Sequence, residues 1–519
     1  MPSTTVYLSL LAALMGAVLW SNSRKRSKLP PGPTGLPVVG NVLDMAVTDV
    51  HVAARKWSED YGDDVISVTT FGHPTIILNS SQSVNDLLVG RGANYSSRPH
   101  MPMIVDLVGW DWTFALMPYG PVWKEHRRTF HNQFNATIHE HRQIQEPAAA
   151  ELLLLLLRTP ERFLDHLEHY TARIIMQRVY GYTDFKDAME DHFVTINKQA
   201  SESTAIATMP GTFLVDTFPI LKYVPEWMPG AGFKTIAKKW RALQETVRNK
   251  PFKMVLDQRA TGTANPSFVN TCLEDRMIGA ADALSEEAIK NIAAVVYAAG
   301  SDTNLASLTV FVISMMMHPE VQKKVQQELD SVLGGERLPT FNDIDQLPYL
   351  WNVMREVFRW IVVFPFAIPH QTMKEDVYKG YYIPAGATVI GNSWAILHDP
   401  AVYPDPESFN PERYEDKNVP DPIDNGVFGF GRRSCSGKAM AIDTVWIAMA
   451  TVLSAYDICM PVDENGTPIV PEVKFRRTTI KHVAPFKCVF KPRSKGAVNL
   501  MKQEVERLVR DGSLPAFVL

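Results

Sequence analysis

The chain has 519 residues, which is long enough for several domains and also within the range of a large enzyme with one core. Hydrophobic residues make up 46% and charged residues 21%, which argues against an intrinsically disordered chain. A formal net charge of -4 argues against a polyanionic partner such as nucleic acid.

An uncharged apolar segment opens the chain. It centres on VYLSLLAALMGAVLW, and residues 3–22 give about the 20 residues that cross a bilayer. The basic run RKRSK follows this segment instead of preceding it, which favours a transmembrane signal anchor over a cleaved signal peptide, although Ser21-Asn22-Ser23 is compatible with cleavage. The positive-inside rule then places the rest of the chain in the cytoplasm. Residues 23–37, with LPPGPTGLP, predict a basic and proline-rich linker, so the folded domain is expected over 38–519.

The remaining patterns predict a mainly α fold with small β-sheets. Asp64–Thr69 and Pro74–Leu78 are rich in β-branched residues and flank Gly72, which predicts a hairpin, and Lys379–Asn392 predicts another. Helical periodicity extends over Ala148–Tyr180, Phe233–Asp257 and Gln322–Val332.

The longest helical pattern begins after Ser285, a good N-cap, and ends near His318, just before Pro319. Its centre reads AGSDTN, and four consecutive polar side chains at mid-length would be costly in lipid. We therefore expect a central helix through the core. The polar patch is either functional or a simple kink.

Four cysteines lack the spacing of a zinc site or a disulfide framework, which favours a reducing compartment. Three of them, Cys272, Cys459 and Cys488, are expected to be small core side chains. Cys435 differs because FGFGRRSCSG surrounds it with glycines and arginines and a helical pattern follows, and a helix N-terminus stabilises a thiolate. We expect an iron-binding thiolate here, the alternative being a buried structural cysteine in a glycine-rich turn.

This loop fits the signature FxxGxRxCxG at each fixed position, namely Phe428, Gly431, Arg433, Cys435 and Gly437. The sequence therefore resembles the cytochrome P450 superfamily, the haem-thiolate monooxygenases. The resemblance implies a single large haem-enclosing domain with haem b as cofactor. It also implies Cys435 as the axial iron ligand, Phe428 over the sulfur and Arg433 near an anionic edge of the haem.

Glu356 and Arg359 in REVFRW lie three residues apart and so share one helix face. The same spacing recurs at Glu125 and Arg128, Glu245 and Arg248, and Glu504 and Arg507, where a solvated pair is the default interpretation. The resemblance singles out Glu356 and Arg359 because Arg413 in FNPERY matches a third partner that braces the cysteine loop. Because a buried charge needs its partner, loss of Glu356 or Arg359 is expected to prevent stable haem incorporation.

The centre of the long helix resembles the family pattern [AG]Gx[DE]T[ST]. By this resemblance Gly300 opens space above the iron, and Asp302 and Thr303 form the acid and alcohol pair that delivers protons to bound dioxygen. Asn304 departs from the usual Ser or Thr, so its effect on water access is open.

Further haem contacts follow from the resemblance alone. Trp123 and Arg127 match a WxxxR motif that binds a haem propionate, although Trp351 and Arg355 share the spacing. His370 in WIVVFPFAIPH is a further expected propionate contact. Val362 stands where relatives often have proline, which leaves the local backbone undefined.

The segment VDLVGWDWTFALMPYGPVWKEHRRTFH narrows the resemblance to a fungal microsomal branch that includes O-methylsterigmatocystin oxidoreductase-like enzymes and tryptamine 4-monooxygenase. An apolar substrate pocket is expected, suited to a terpenoid, polyketide or indole, with ordinary core packing as the alternative for each residue. Its expected walls are Trp110, Trp112, Phe114, Met117, Phe213, Phe218, Tyr297, Val363 and Phe364.

The resemblance thus implies a monooxygenase of the endoplasmic reticulum membrane. It takes electrons from an NADPH-cytochrome P450 reductase, with cytochrome b5 as an optional second donor. A docking surface for the reductase is expected at Lys124, Arg128, Arg432 and Lys438, with a solvated charged face as the alternative. The rival functions are a haem-thiolate isomerase or dehydratase, and a non-catalytic haem-binding protein.

Overall fold

The computed structural model describes residues 29–45, 49–185, 191–280, 283–476 and 478–515. The expected anchor at residues 3–22 lies outside the described residues. The chain divides into two compact units. Unit 1 contains the described residues up to Pro99 together with Phe366–Ile396 and Phe430–Arg432. Unit 2 contains His100–Pro365, Leu397–Gly429 and the described part of Arg433–Leu519.

Helices dominate the described part of the chain, as the sequence predicted, and small sheets complete it. The helices are α1 (Val42–Met45), α2 (Val50–Tyr61), α3 (Ser81–Val84), α4 (Gly92–Tyr95), α5 (Pro121–Phe130), α6 (Ile138–Arg158), α7 (Phe163–Tyr180), α8 (His192–Ala207), α9 (Leu214–Thr217), α10 (Gly232–Ala260), α11 (Phe268–Met277), α12 (Glu286–Met317), α13 (Pro319–Leu333), α14 (Pro348–Trp360), α15 (Ser393–Leu397), α16 (Lys438–Ala455) and α17 (Lys495–Arg510). Shorter 3-10 or π turns lie between several of them.

Eight strands form three small sheets among the described residues. The strands are β1 (Val65–Thr70), β2 (His73–Leu78), β3 (His370–Gln371), β4 (Asp376–Tyr378), β5 (Tyr381–Ile383), β6 (Thr388–Gly391), β7 (Tyr456–Cys459) and β8 (Val489–Pro492). Unit 1 holds a four-stranded sheet in the order β1-β2-β6-β3 and the pair β4-β5. Unit 2 holds the pair β7-β8.

The first predicted hairpin forms, with β1 and β2 antiparallel and Val65 opposite Leu78. The prediction of one hairpin over Lys379–Asn392 is wrong. β5 pairs with β4, whereas β6 pairs in parallel with β2 and antiparallel with β3. The consecutive strands β5 and β6 therefore belong to two different sheets, because β6 pairs with β2, a strand far away in the sequence.

The proline-rich segment is partly folded. Ser67 of β1 donates backbone and side-chain hydrogen bonds to the carbonyls of Pro31 and Pro30, at 2.8 and 2.5 Å. A Cβ on Gly32 would lie 1.9 Å from the Ser67 carbonyl oxygen, so this stretch runs directly along the strand. The folded part of unit 1 thus begins before residue 38, where the linker was expected to end.

The core of unit 2 is built around α12, which packs against α7 and α16. Its N-cap is Ser285, whose side chain accepts a hydrogen bond from the Ala288 N–H, as the sequence predicted. The continuous helical pattern predicted over Ala148–Tyr180 instead divides into α6 and α7, because Pro160 opens a separate turn after Arg158.

The helix α16 is the one described helix that is long and apolar enough to cross a membrane by length and composition. About 72% of that window is buried inside unit 2, and the helix contacts α6, α12 and α13. Its hydrophobicity is therefore that of a core helix.

Candidate functional site

The cysteine loop of unit 2 is closed by a backbone hydrogen bond of 2.8 Å from the Cys435 N–H to the Phe428 carbonyl. Gly429 turns the chain in the left-handed region at φ +70°. The loop delivers Cys435 just before α16, and the Phe428 ring packs edge-on against Phe358 of α14. The cysteine is thus held between a helix N-terminus and the core.

The Cys435 side chain is accessible to solvent, although many protein atoms lie near its sulfur. Burial raises the pKa of the thiol, while a hydrogen bond from the Gly437 N–H and the charges of Arg127 and Lys438 lower it. The sulfur therefore faces open space within the protein, beside three groups that favour a thiolate.

Gly431 belongs to unit 1 and has φ +56°. A Cβ there would lie 2.2 Å from the carbonyl oxygen of Leu88, which no side chain can accommodate. Gly437 differs, because it lies outside the left-handed region and a Cβ would make an ordinary contact of 3.8 Å with Phe130. The conformational freedom of glycine is therefore required at Gly431 and not at Gly437.

Two guanidinium groups and an indole ring meet beside the loop. The Arg433 guanidinium lies 4.4 Å from the centre of the Trp123 ring and donates to the carbonyls of Phe114 and Met117, at 3.2 and 2.7 Å. Arg127 lies over the same ring and donates to the Ser434 carbonyl at 2.5 Å.

Burial, followed by the positive charge of Arg127, lowers the pKa of Arg433 to about 10. A buried cation, Arg433, and a half-buried one, Arg127, repel each other and together favour an anionic partner. Haem propionates supply such negative charge, so Trp123, Arg127 and Arg433 fit the edge of this cofactor.

The middle of α12 is open although most of the helix is buried. Residues 291–297 and 306–316 are buried, whereas Ala299 is exposed and Asp302 and Thr303 are partly exposed. The Thr303 hydroxyl donates to the Ala299 carbonyl at 2.9 Å, and Asn304 donates to the Gly300 carbonyl at the same distance. The acid and alcohol side chains thus sit at a gap in the packing of a core helix.

Gly300 lies where α12 and α7 pack closely. A Cβ at this position would lie 2.4 Å from Cδ1 of Ile175 on α7. The missing side chain therefore permits close packing of α12 against α7. The expectation that Gly300 also opens space above the iron stays a prediction.

Glu356, Arg359 and Arg413 come together in a buried ionic network. The side chains of Glu356 and Arg359 are 0% exposed and share two hydrogen bonds of 2.8 Å, and the Arg413 Nε lies 3.2 Å from Glu356 Oε1. Tyr414 and the Asn410 N–H also donate to this carboxylate, at 2.9 Å each. Each charge is paired and hydrogen-bonded, as burial requires.

The network also fixes nearby backbone. Arg359 donates to the carbonyls of Leu397 and Ser408, and Arg413 donates to that of Pro404 at 2.7 Å. By contrast, the Glu504–Arg507 pair has the same sequence spacing, but its side chains on α17 are 28% and 56% exposed. Burial therefore distinguishes the Glu356–Arg359 pair from the Glu504–Arg507 pair.

The expected pocket residues fall into three groups. Trp110, Trp112 and Phe114 are buried, and the two indole rings stack at 4.9 Å. Half-buried side chains are those of Met117, Phe213, Val363 and Phe364. Tyr297 is 0% exposed and packs edge-on against Tyr180, whereas Phe218 is 39% exposed. The role of these residues as pocket walls stays a prediction.

Two of the remaining expected residues belong to unit 1, so their relation to Cys435 stays a prediction. His370 Nδ1 lies 2.7 Å from the Tyr95 carbonyl at the edge of the four-stranded sheet. Arg432 lies against Gly92. In unit 2, Val362, which stands where relatives often have proline, is buried.

A surface pocket of about 370 Å³ leads from α5 to the cysteine sulfur. Lys124, Arg127 and Arg128 contribute the basic part of its wall, and Cys435 and Ser436 lie at its other side. Lys438 nearby forms an ion pair with Asp424. Lys124 and Arg128 therefore place positive charge beside Cys435, and their role as a docking surface stays a prediction.

One contact of this site carries no signal in the sequence. His482 Nε2 lies 3.2 Å from Asp302 Oδ2, across 180 residues of chain. No motif contains His482, so only the fold reveals the pair.

The residues present fit a haem. Among the described residues there is no group of three or more His, Cys, Asp or Glu side chains that could hold a metal ion. The exposed Cys435 sulfur can bind an iron, and the Trp123–Arg127–Arg433 cluster fits the anionic edge of the cofactor that carries it.

Comparison with known proteins agrees with this geometry. The family model described as Cytochrome P450 matches residues 30–483. A cytochrome P450 monooxygenase of Armillaria gallica is 52% identical over 94% of this chain and 97% of its own length. The tryptamine 4-monooxygenase of Psilocybe cyanescens is 38% identical over 94% and 98%. Among solved structures, a zebra fish cytochrome P450 with progesterone aligns with a TM-score of 0.70 and 24% identity over 85% of this chain and 99% of its own, which shows the shared fold.

Proposed function

Because this chain belongs to the cytochrome P450 family and is a monooxygenase, we propose that it hydroxylates or otherwise oxidises an apolar secondary metabolite. The exposed Cys435 sulfur beside thiolate-stabilising groups is the observation that carries the proposal. The candidate substrates are terpenoids, polyketides and indoles. The likeness to a relative named for tryptamine supports the indole class.

A thiolate-ligated haem supplies dioxygen activation, in which two electrons and two protons accompany insertion of one oxygen atom into the substrate and release of the other as water. Cys435 would supply the thiolate that binds the iron. Arg127, Arg433 and Trp123 would hold the propionates of the haem, and the network of Glu356, Arg359 and Arg413 would brace the cysteine loop.

Asp302 and Thr303 hold and move the protons that the reaction consumes. The carboxyl group of Asp302 exchanges protons with solvent, and the hydroxyl of Thr303 can pass a proton on to dioxygen. Their position at the opening in α12 supports this role. An isomerase or dehydratase with the same cofactor needs no such pair.

Electrons come from a NADPH-cytochrome P450 reductase, with cytochrome b5 as an optional donor. The basic wall formed by Lys124 and Arg128 beside Cys435 supports docking of an acidic protein there. We place the enzyme in the endoplasmic reticulum membrane with its folded part in the cytoplasm.

The test is turnover by the full chain in microsomes that contain the reductase. Terpenoid, polyketide and indole candidates are incubated with NADPH and isotopically labelled dioxygen, and products are analysed by mass spectrometry. We expect a product heavier by one labelled oxygen atom that requires both NADPH and dioxygen. Conversion without either reagent would instead indicate an isomerase or dehydratase.

A further inference from the structure

The Asp302 carboxylate is held from outside its own helix. His482 Nε2 lies 3.2 Å from Asp302 Oδ2, and the two side chains are only 18% and 19% exposed. Partial burial makes such a contact more directional than a surface pair, because water competes with it less.

His482 lies on a segment that is fixed at several points. Backbone hydrogen bonds link Ala484 to Lys474 at 2.7 Å and Arg476 to His482 at 3.0 Å, so the segment folds back on itself. The Lys481 N–H donates to the Val363 carbonyl at 2.8 Å. The backbone that carries His482 is therefore held in place beside Asp302.

The segment is also tied to α8 and its C-cap. The Thr479 hydroxyl donates to the Ala205 carbonyl at 3.1 Å and lies at the same distance from the Thr208 hydroxyl. Arg476 pairs with Glu202 at 3.3 Å. These contacts attach the segment that carries His482 to α8.

Other charged groups surround the pair. Glu168 of α7 interacts electrostatically with Asp302 and pairs with Lys198 of α8 at 2.7 Å, and burial raises the pKa of Glu168. From the His482 segment come Lys474, which pairs with Glu472, and Lys481, which lies over Phe475. Among these groups of the described residues, the His482 ring is the one that lies within hydrogen-bonding distance of Asp302.

We propose that His482 is a positioning residue that holds the Asp302 carboxylate in the orientation needed to deliver protons. The proposal rests on the proton role of Asp302 under the proposed function. It adds a residue that acts through Asp302 and contacts neither dioxygen nor substrate in this account.

The first test does not depend on activity. Purified holoenzyme is treated with diethylpyrocarbonate at one pH, and labelling of each histidine is followed by mass spectrometry. In Asp302→Ala we expect His482 to react several-fold faster than in the wild type, because its ring loses a partner. His100, which pairs with Asp106 at 3.0 Å, serves as the internal reference and should not change. An unchanged His482 rate would overturn the proposal.

The second test measures how much hydrogen peroxide is formed for each NADPH consumed. With reductase, NADPH and no organic substrate, dioxygen is reduced either to hydrogen peroxide or, with more protons delivered, to water. We expect His482→Ala to raise peroxide per NADPH at least about threefold, and His482→Gln, which keeps a donor, to restore most of the wild-type ratio. His100→Ala is the matched control and should behave as the wild type does.

The outcomes separate the two proposals. If Asp302→Asn leaves the peroxide ratio unchanged, the proton role of Asp302 fails. If Asp302→Asn raises the ratio but His482→Ala does not, the positioning role of His482 fails. A thiolate-type spectrum of the reduced, carbon-monoxide-bound protein in every variant verifies that the haem and its ligand are intact.

Discussion

At the residue scale, burial decides which side chains of a common pattern matter. Glu356 and Glu504 both begin an ExxR pair, yet Glu356 accepts five hydrogen bonds inside the protein while Glu504 is partly exposed and pairs with an exposed Arg507. The sequence order of the motifs grouped Glu356, Arg359 and Arg413, and the structure brings these three side chains together. Burial itself has no signature in a three-residue spacing.

Glu356→Gln should leave two buried guanidinium groups without a carboxylate. We expect a loss of stability of about 3–5 kcal/mol and little or no incorporated haem. The measurements are thermal unfolding and the ratio of haem to protein after purification. Glu504→Gln is the control, with an expected effect of less than about 1 kcal/mol. Equal effects of the two variants would contradict the bracing role of Glu356.

Glycines in the cysteine loop provide a second comparison. Gly429 and Gly431 have similar positive φ values, +70° and +56°, but a Cβ on Gly429 meets nothing within 4 Å. Gly429→Ala should therefore cost about 1–2 kcal/mol from the backbone conformation alone. Gly431→Ala adds the collision with the Leu88 carbonyl and should cost clearly more. Thermal unfolding of both variants decides the matter, and equal losses would mean that the Leu88 contact is unimportant.

At the element scale, the helices and strands that were predicted are those that depend on residues close together in the chain. The β1–β2 hairpin and the N-cap of α12 depend on residues that are close in the chain, and both were predicted. The pairing of β6 with β2, and the contact between His482 and Asp302, depend on partners far away in sequence. Neither of these contacts was predicted. The close packing of α12 on α7 at Gly300, against Ile175, is likewise not visible in the motif.

A link between α9 and the segment Met103–Leu107 gives a pH prediction. Asp216 Oδ1 accepts the Met103 N–H at 2.8 Å, and burial raises the pKa of Asp216 from 3.8 to about 6. Between these values the folded protein binds more protons than the unfolded chain, so its stability falls as the pH rises. The contribution amounts to at most about 3 kcal/mol.

Asp216→Asn keeps the acceptor and cannot ionise, so this fall between about pH 4 and pH 6 should disappear. Chemical unfolding at a series of pH values measures it. Asp106→Asn is the informative control, because Lys222 and His100 lower the pKa of Asp106 and its contribution has the opposite sign. A wild-type slope that persists in Asp216→Asn would show that Asp216 is not the titrating group.

At the scale of the whole molecule, the family signature predicted the fold class, and the composition excluded the disordered and nucleic-acid-binding classes. The division into two compact units was not predicted, because unit 1 is assembled from three separate stretches of chain. The beginning of the fold was placed too late for a related reason. Pro30 and Pro31 look like a linker in sequence, but their carbonyls accept hydrogen bonds from Ser67.

The central claim is that the Cys435 sulfur binds the iron of a haem, and it is tested most directly by the absorption spectrum of the reduced, carbon-monoxide-bound protein. We expect a thiolate-type Soret band for the full chain, and its loss in Cys435→His together with loss of substrate oxidation. Cys488→Ser, a change at a half-buried cysteine of unit 2 away from the loop, should keep the band. A thiolate-type band that survives in Cys435→His would contradict the account.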